Sequence, residues 1–413
     1  MTEVEAAPIS FADPSVQRCP FPAYDALRAD QPVYRDPLTG NFVLTRYADV
    51  RRSLLNPKVF SNRTGLIVER ASSVQDEVDR IYRDGGWMPL DTLVSNDPPE
   101  HRLYRVLVDK VFTTPRVTGL EPRIEAIIDA LLDDLPAGTE FDFLDAFAVR
   151  LPMYVIAEQL GVARADMDRF KLWSDVSVEA VSPMIPPARE IEIAQTIVDL
   201  QNYLARVIER VRAAPEDTLI SHLASTETEG RLLTMRELLG VIQQLLVAGN
   251  ETTTTTLASG MKLLIDHPDL AERMAVDPAL VPRFVEEALR TCAPIQTLFR
   301  KALEDVEVDG VTIPAGAMVE VRYGAANRDP AQFACPADVD LSRANAAGHL
   351  AFGAGIHMCI GNQLARGELR LAFAALTRRF KNFRATRGDG GVEWATSYIA
   401  YGPTRLWMAC ETR

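Results

Sequence analysis

The sequence has little cysteine, no surplus of basic charge and no long apolar run, and each shortage argues against a class of protein. Its five cysteines, Cys19, Cys292, Cys335, Cys359 and Cys410, are scattered without a close pair. An odd, dispersed set argues against a disulfide framework and offers no zinc-site spacing. No run of about 18 uncharged apolar residues occurs, so no membrane span is expected. The opening MTEVEAAPIS lacks the basic segment and apolar core of a secretory signal. Basic residues number 44 against 57 acidic ones, a formal net charge of −13. That balance argues against nucleic acid or an anionic membrane as the main partner. The expectation is a cytoplasmic protein with reduced thiols.

Internal repeats, charge blocks and Gly/Ser linkers are also missing, so residues 1–413 read as one domain. What is present is ordinary for a globular chain: 47% hydrophobic and 24% charged residues. A chain of this length buries about three quarters of its unfolded surface, enough to enclose a bulky cofactor. The start is proline-rich and reads as irregular to about Tyr24. Short β-like runs follow at 33–34 and 42–44, around a Leu-Thr-Gly-Asn turn signal. Helical periodicity dominates from about 100 to 290. Alternating valines return in VEVDGVTIPAGAMVEV, a last helix is expected from about Cys359 to Phe380, and WATSYIAY with TRLWMAC reads as a closing strand pair. The fold class is mainly α, with a core at about 100–295 and 359–380. A smaller β region draws on about 30–60, 300–322 and 393–410.

The segment HLAFGAGIHMCIG, His349 to Gly361, carries the most chemical information. A lone cysteine is usually a small buried hydrophobe. Here Gly353 and Gly355 permit positive φ and close backbone approach, as a tight loop beneath a flat macrocycle requires. Cys359 leads into the helical pattern GNQLARGELRLAFAAL, and a helix N-terminus stabilises a thiolate. Gly361 keeps the space beside the sulfur small. A dinucleotide loop would need its third glycine at another spacing, and a zinc site would need a second Cys/His pair.

The pattern Phe352-Gly-x-Gly-x-His-x-Cys-x-Gly361 resembles the haem-binding signature of the cytochrome P450 family of haem-thiolate monooxygenases. The resemblance implies a P450 fold and haem b (iron protoporphyrin IX) with the Cys359 thiolate as axial ligand. It also places Phe352, Gly353, His357 and Gly361 at the cofactor. Three more segments match in the family's order. Glu287-Ala-Leu-Arg290, on its own an exposed i,i+3 ion pair, matches a structural pair that Arg343 joins to hold the cysteine loop. Leu246-Val-Ala-Gly-Asn-Glu-Thr-Thr253 begins a run of five threonines, poor helix formers that alone would read as a low-complexity turn. Its apolar helical flanks and the back-bonding of threonine hydroxyls suggest instead a bent, locally opened helix. By resemblance O2 would sit beside Ala248 and Gly249, and Glu251 and Thr252 would be the acid–alcohol pair that relays protons. Asn96-Asp-Pro-Pro-Glu-His-Arg-Leu-Tyr-Arg105 starts a helix whose His101 and Arg105, otherwise a solvated face, would pair with the haem propionates. Arg300 and His357 match two further propionate partners.

The resemblance implies O2 activation and oxidation, most often hydroxylation, of a small, mostly apolar substrate. Its pocket would draw on residues 84–93, 181–187, 247–248, 295–298 and 397–400, with Trp87, Leu90, Val247, Ala248, Ile295, Leu298 and Ile399 as contacts. No flavin or nicotinamide fingerprint is present, so electrons would come from a ferredoxin or flavodoxin with its NAD(P)H-dependent reductase. Arg102, Lys110, Arg366 and Arg370 would form the docking patch. A peroxide-using haem-thiolate enzyme and a non-catalytic haem ligand-binding protein are the alternatives; the intact Glu251–Thr252 pair favours O2.

Overall fold

The computed structural model describes residues 8–64, 72–180 and 185–413. Its organising element is the helix Met235–Asp266, hereafter the central helix. A capping box starts it: the Thr234 hydroxyl accepts from the Glu237 N–H, and the Glu237 carboxylate accepts from the Thr234 N–H. Leu257, Ala258, Met261 and Leu264 pack into one core with the helices Glu121–Asp133, Val281–Thr291 and Asn362–Arg379. Leu238, Leu239, Val241, Ile242, Leu245 and Leu246 belong to a second core, with the helices Glu100–Val111 and Pro187–Ala213. Gly260 permits the closest approach, because a Cβ there would collide with the Phe373 ring of the helix Asn362–Arg379.

The β portion is assembled from distant parts of the chain, as the sequence implies. One sheet has five strands in the order Val33–Arg35, Phe42–Leu44, Met318–Arg322, Thr297–Ala302 and Phe60–Ser61. Only Phe42–Leu44 against Met318–Arg322 is parallel. A second sheet is built on Pro403–Thr412, which pairs with Val392–Trp394, Phe141–Asp142 and Phe380–Ala385. The Asp-Gly turn is a two-residue hairpin between Val306–Val308 and Val311–Ile313, with Asp309 at φ 51° and Gly310 at φ 77°.

Several sequence expectations are corrected. The proline-rich start holds two helices, Pro14–Arg18 and Phe21–Asp30, each with proline in its first turn, where the missing N–H costs nothing. Within 30–60, the helix Tyr47–Leu54 interrupts the β region. WATSYIAY contributes only Trp394 to a strand; the rest is a loop tied by the single bridge Ile295–Ala400. The last helix begins at Asn362, so Cys359 lies in the loop before it. The threonine run does not open the central helix, which continues unbroken from Met235 to Asp266. Thr252 and Thr256 do bond back, to the carbonyls of Ala248 and Thr252, at 2.8 Å each.

Candidate active site around Cys359

The cysteine loop is braced by its own backbone. Cys359 N–H donates to the Phe352 carbonyl at 2.9 Å, and Gly353 N–H to Leu350 at 2.9 Å. Gly353 and Gly355 take φ of 66° and 72°, the left-handed region in which a side chain is strained. Gly355 also lies so close to the helix Tyr47–Leu54 that a Cβ would stand 2.5 Å from the Leu54 carbonyl oxygen. Burial pushes the Cys359 thiol up, opposed by the Gly361 N–H and by the charges of Arg105 and Arg366. The help that a helix end gives the sulfur therefore comes from one N–H before the helix. Nothing lies within 4 Å of where a Gly361 Cβ would be.

On the central helix, Ala248, Gly249 and Glu251 are exposed and Thr252 half-buried, between buried turns on either side. A Cβ on Gly249 would likewise meet nothing within 4 Å. Ile360 packs against the core to which Leu245 and Leu246 belong, and Phe352 and Leu364 against the core to which Leu257 and Ala258 belong. Glu251 borders the opening; surrounding protein and the nearby Asp175 raise its carboxyl. Asp175 is in turn paired with Lys171 at 2.7 Å. Asn250, beside it, is buried and donates to Ser174 at 2.9 Å.

Four of the predicted cofactor residues converge. The His101 and His357 rings lie 4.3 Å apart between centroids. Burial, then His101, Arg300 and Arg105, push His357 down to about 3. Burial and Arg105 also lower His101. Nε2 of His357 is buried without a partner on the described protein. Two arginines and two imidazoles thus face one another around an orphaned buried nitrogen, a cluster that anionic groups would complete. The sulfur has no co-ligands: among the described residues no group of three or more His, Cys, Asp or Glu is placed to hold a metal. One sulfur, an open space lined by glycine and alanine, and a cationic rim fit a macrocycle that supplies the remaining iron ligands and two carboxylates.

Arg105 has a role the sequence did not suggest. Its Nη1 donates to the carbonyls of Met358 at 2.7 Å and Ile356 at 3.3 Å, so it holds the cysteine loop as well as facing the rim. Glu287 and Arg290 are fully buried, not an exposed pair, at 2.7 Å. Arg343 reaches Glu287 at 3.1 Å. The pair secures residues 327–340: Arg290 donates to the carbonyls of Asn327, Pro336 and Asp338. Its link to the cysteine loop is indirect, through Leu350 N–H donating to Asn327 Oδ1 at 2.6 Å.

Of the predicted substrate contacts, the backbones around Ile295 and Ile399 run side by side: Gln296 N–H donates to the Ile399 carbonyl at 2.7 Å, and Ile295 bridges Ala400. Trp87 packs with the core of Leu245 and Leu246, just before Val247. Leu90 instead packs on the central helix at Gly240, seven residues or about 10 Å before Val247. Residues 181–184 of the predicted pocket lie outside the described residues. No helix among the described residues is long and apolar enough to cross a membrane.

Known proteins share this fold over nearly the whole chain. The family model of cytochrome P450 matches residues 66–277 and 279–388. Vitamin D(3) 25-hydroxylase of Pseudonocardia autotrophica is 39% identical over 361 residues, 86% of this chain and 85% of its own. A cytochrome P450 structure from Chondromyces apiculatus superposes with a TM-score of 0.86 at 35% identity, covering 98% of this chain and 99% of its own. One from Bacillus megaterium, solved in complex with testosterone, gives 0.82 at 30% identity over 94% and 99%. The chain belongs to the cytochrome P450 family, monooxygenases that use protoporphyrin IX haem with a cysteine thiolate as axial ligand.

Proposed function

We propose that this monooxygenase binds its haem through Cys359 and oxidises a small, neutral, mostly apolar molecule in the cytoplasm. The observation that carries the reading is the cysteine loop: its backbone fixes Cys359, and His357 within it meets His101, Arg105 and Arg300 in one cationic cluster. When bound, the haem supplies the redox centre that activates O2, and a thiolate ligand favours O–O cleavage. His101, Arg105, Arg300 and His357 would hold the haem's two carboxylates, and Phe352, Gly353 and Gly361 shape the loop that carries Cys359. Ala248 and Gly249 leave room for a small molecule on the other side.

Proton delivery falls to Glu251 and Thr252. The raised Glu251 carboxyl keeps a proton to nearer neutral pH than an ordinary glutamate does. Thr252 Oγ1 donates to the Ala248 carbonyl, which leaves its lone pairs free to accept the next proton. Lys171 and Asp175 extend from Glu251 toward solvent.

Trp87, Val247, Ala248, Ile295, Leu298 and Ile399 make an apolar pocket, with Leu90 at its far margin. The relatives named for vitamin D(3) hydroxylation and crystallised with testosterone support a steroid-, terpenoid- or aromatic-like substrate. Electrons come from a ferredoxin or flavodoxin served by its own reductase. The docking face must be redrawn, because Arg366 is committed to Glu286 and Arg370 to Glu121. Lys110 donates to the Glu227 carbonyl, which leaves Arg102, of the four, free of such commitments among the described residues. Exposed Leu55, Ile356 and Met358 beside the cysteine loop, with Arg51 and Arg52 at their edge, complete a surface suited to an acidic donor.

The test is the visible spectrum of the dithionite-reduced protein under carbon monoxide. The strongly red-shifted Soret band of thiolate ligation, lost in Cys359→Ala, is the expected result. A histidine-type band in the parent protein overturns the ligand assignment.

A further inference from the structure

Glu286 and Glu287 are consecutive on the helix Val281–Thr291, about 100° apart around its axis, so they face different neighbours. Glu287 closes on Arg290 and Arg343. Glu286 turns to the cysteine loop. Its Oε1 accepts from Arg366 Nε at 2.6 Å and its Oε2 from Arg366 Nη2 at 3.1 Å. Oε2 also lies 3.3 Å from His349 Nε2, at the start of the loop. Arg366 then donates through Nη1 to Asn362 Oδ1 at 3.0 Å, and Asn362 Nδ2 donates to the Cys359 carbonyl at 2.6 Å. The same guanidinium lies over the Phe352 ring, 4.5 Å from its centroid. Phe352 in turn accepts the Cys359 N–H through its carbonyl. Both peptide groups of Cys359 are thereby tied, through intervening residues, to one carboxylate.

We propose that Glu286, acting through Arg366 and Asn362, is a positioning residue that fixes the Cys359 backbone and so the aim of its sulfur at the haem iron. The inference rests on Cys359 as the haem ligand. It separates two tasks within one pair of glutamates: Glu287 secures residues 327–340, and Glu286 aims the ligand. The geometry supports this, because the Cys359 carbonyl orientation sets the backbone torsions that carry Cβ and Sγ. The charge-assisted bonds from Glu286 to Arg366 and from Arg366 to Asn362 hold the amide that meets the Cys359 carbonyl more firmly than neutral partners would. The nearby His349 ring and the hydrogen bonds from Arg366 outweigh burial and hold Glu286 down at about 2, so the carboxylate stays charged.

The experiment compares haem-loaded parent, Glu286→Gln, Asn362→Ala and the double variant. The readouts are the iron reduction potential and the rate at which the ferrous carbonyl complex loses its thiolate Soret band. Each single variant should shift the potential upward and speed that loss about tenfold, the double adding little to either, as expected for members of one chain of bonds. Glu286→Asp should recover part of the parent behaviour. A Glu286→Gln protein with the parent's potential and band stability overturns the proposal, even if it unfolds in less urea. Additive effects in the double variant overturn it as well. If Glu286→Gln fails to fold, Arg366→Lys replaces it in the same comparison. Cys359→Ser, run alongside, isolates the underlying assumption: a parent band that survives this change refutes the ligand assignment itself.

Discussion

Replacing Glu368 by glutamine tests the energetics of the interior directly. Glu368 sits within the helix Asn362–Arg379, 3% exposed, and its Oε2 has no hydrogen-bond partner on the described protein. Burial pushes its carboxyl from 4.5 up to about 8. At neutral pH the folded protein therefore holds a proton that the unfolded chain has released. The sign follows: between 4.5 and about 8 the folded state binds more protons, so stability falls as pH rises. The slope reaches about 1.4 kcal/mol per pH unit, which accumulates to roughly 3 kcal/mol by pH 7 and about 5 above pH 8. Glu368→Gln keeps the shape and removes the titration. Urea unfolding of both proteins across pH, read as the difference between them, cancels every other titrating group. The variant should gain less than about 1 kcal/mol at pH 5 and roughly 3 at pH 7. A difference that stays constant with pH would refute the reasoning, since it would mean that Glu368 does not change its proton on unfolding.

Three further outcomes are expected. Gly355→Ala, which adds a side chain at φ 72° against the Leu54 carbonyl, should cost about 1–3 kcal/mol and lower the haem-to-protein ratio; an unchanged ratio and thermal midpoint would count against the close approach. Turnover that depends on protonated Glu251 should fall as pH rises through its raised pKa, and Glu251→Gln should abolish that limb while slowing turnover throughout. A limb that persists in the variant belongs to another group. Arg300→Leu removes one of the cations facing His357 and should speed haem loss to apomyoglobin about tenfold; parent-like retention would remove Arg300 from the propionate site.

The local chemistry of the site was legible in the chain because it depends on short spacings. The positive φ of Gly353 and Gly355 and the threonine back-bond from 252 to 248 are such local features, and the structure shows them as read, whereas Cys359 falls in the loop before the helix it was expected to open. The fold class was legible for a similar reason, since helix and strand periodicities are local. Local propensity also misled. Threonines favoured an opened helix, yet buried packing at residues 253–261 keeps the central helix continuous, because tertiary contacts outweigh a few tenths of a kcal/mol per residue. Glu287 and Arg290 looked like a surface pair because spacing alone carries no information about depth.

By itself the sequence supplied the family, through its motifs, and the candidates for its chemistry: a thiol in a glycine loop, an acid beside an alcohol, and His101, Arg105, Arg300 and His357. Only the tertiary structure decided what holds them. Glu286 meets Arg366 from 80 residues away, Arg105 reaches loop carbonyls more than 250 residues along, and His101 finds His357. Those partnerships arise where helices from distant segments bury a shared face, and no spacing along the chain encodes which carboxylate a given arginine will meet.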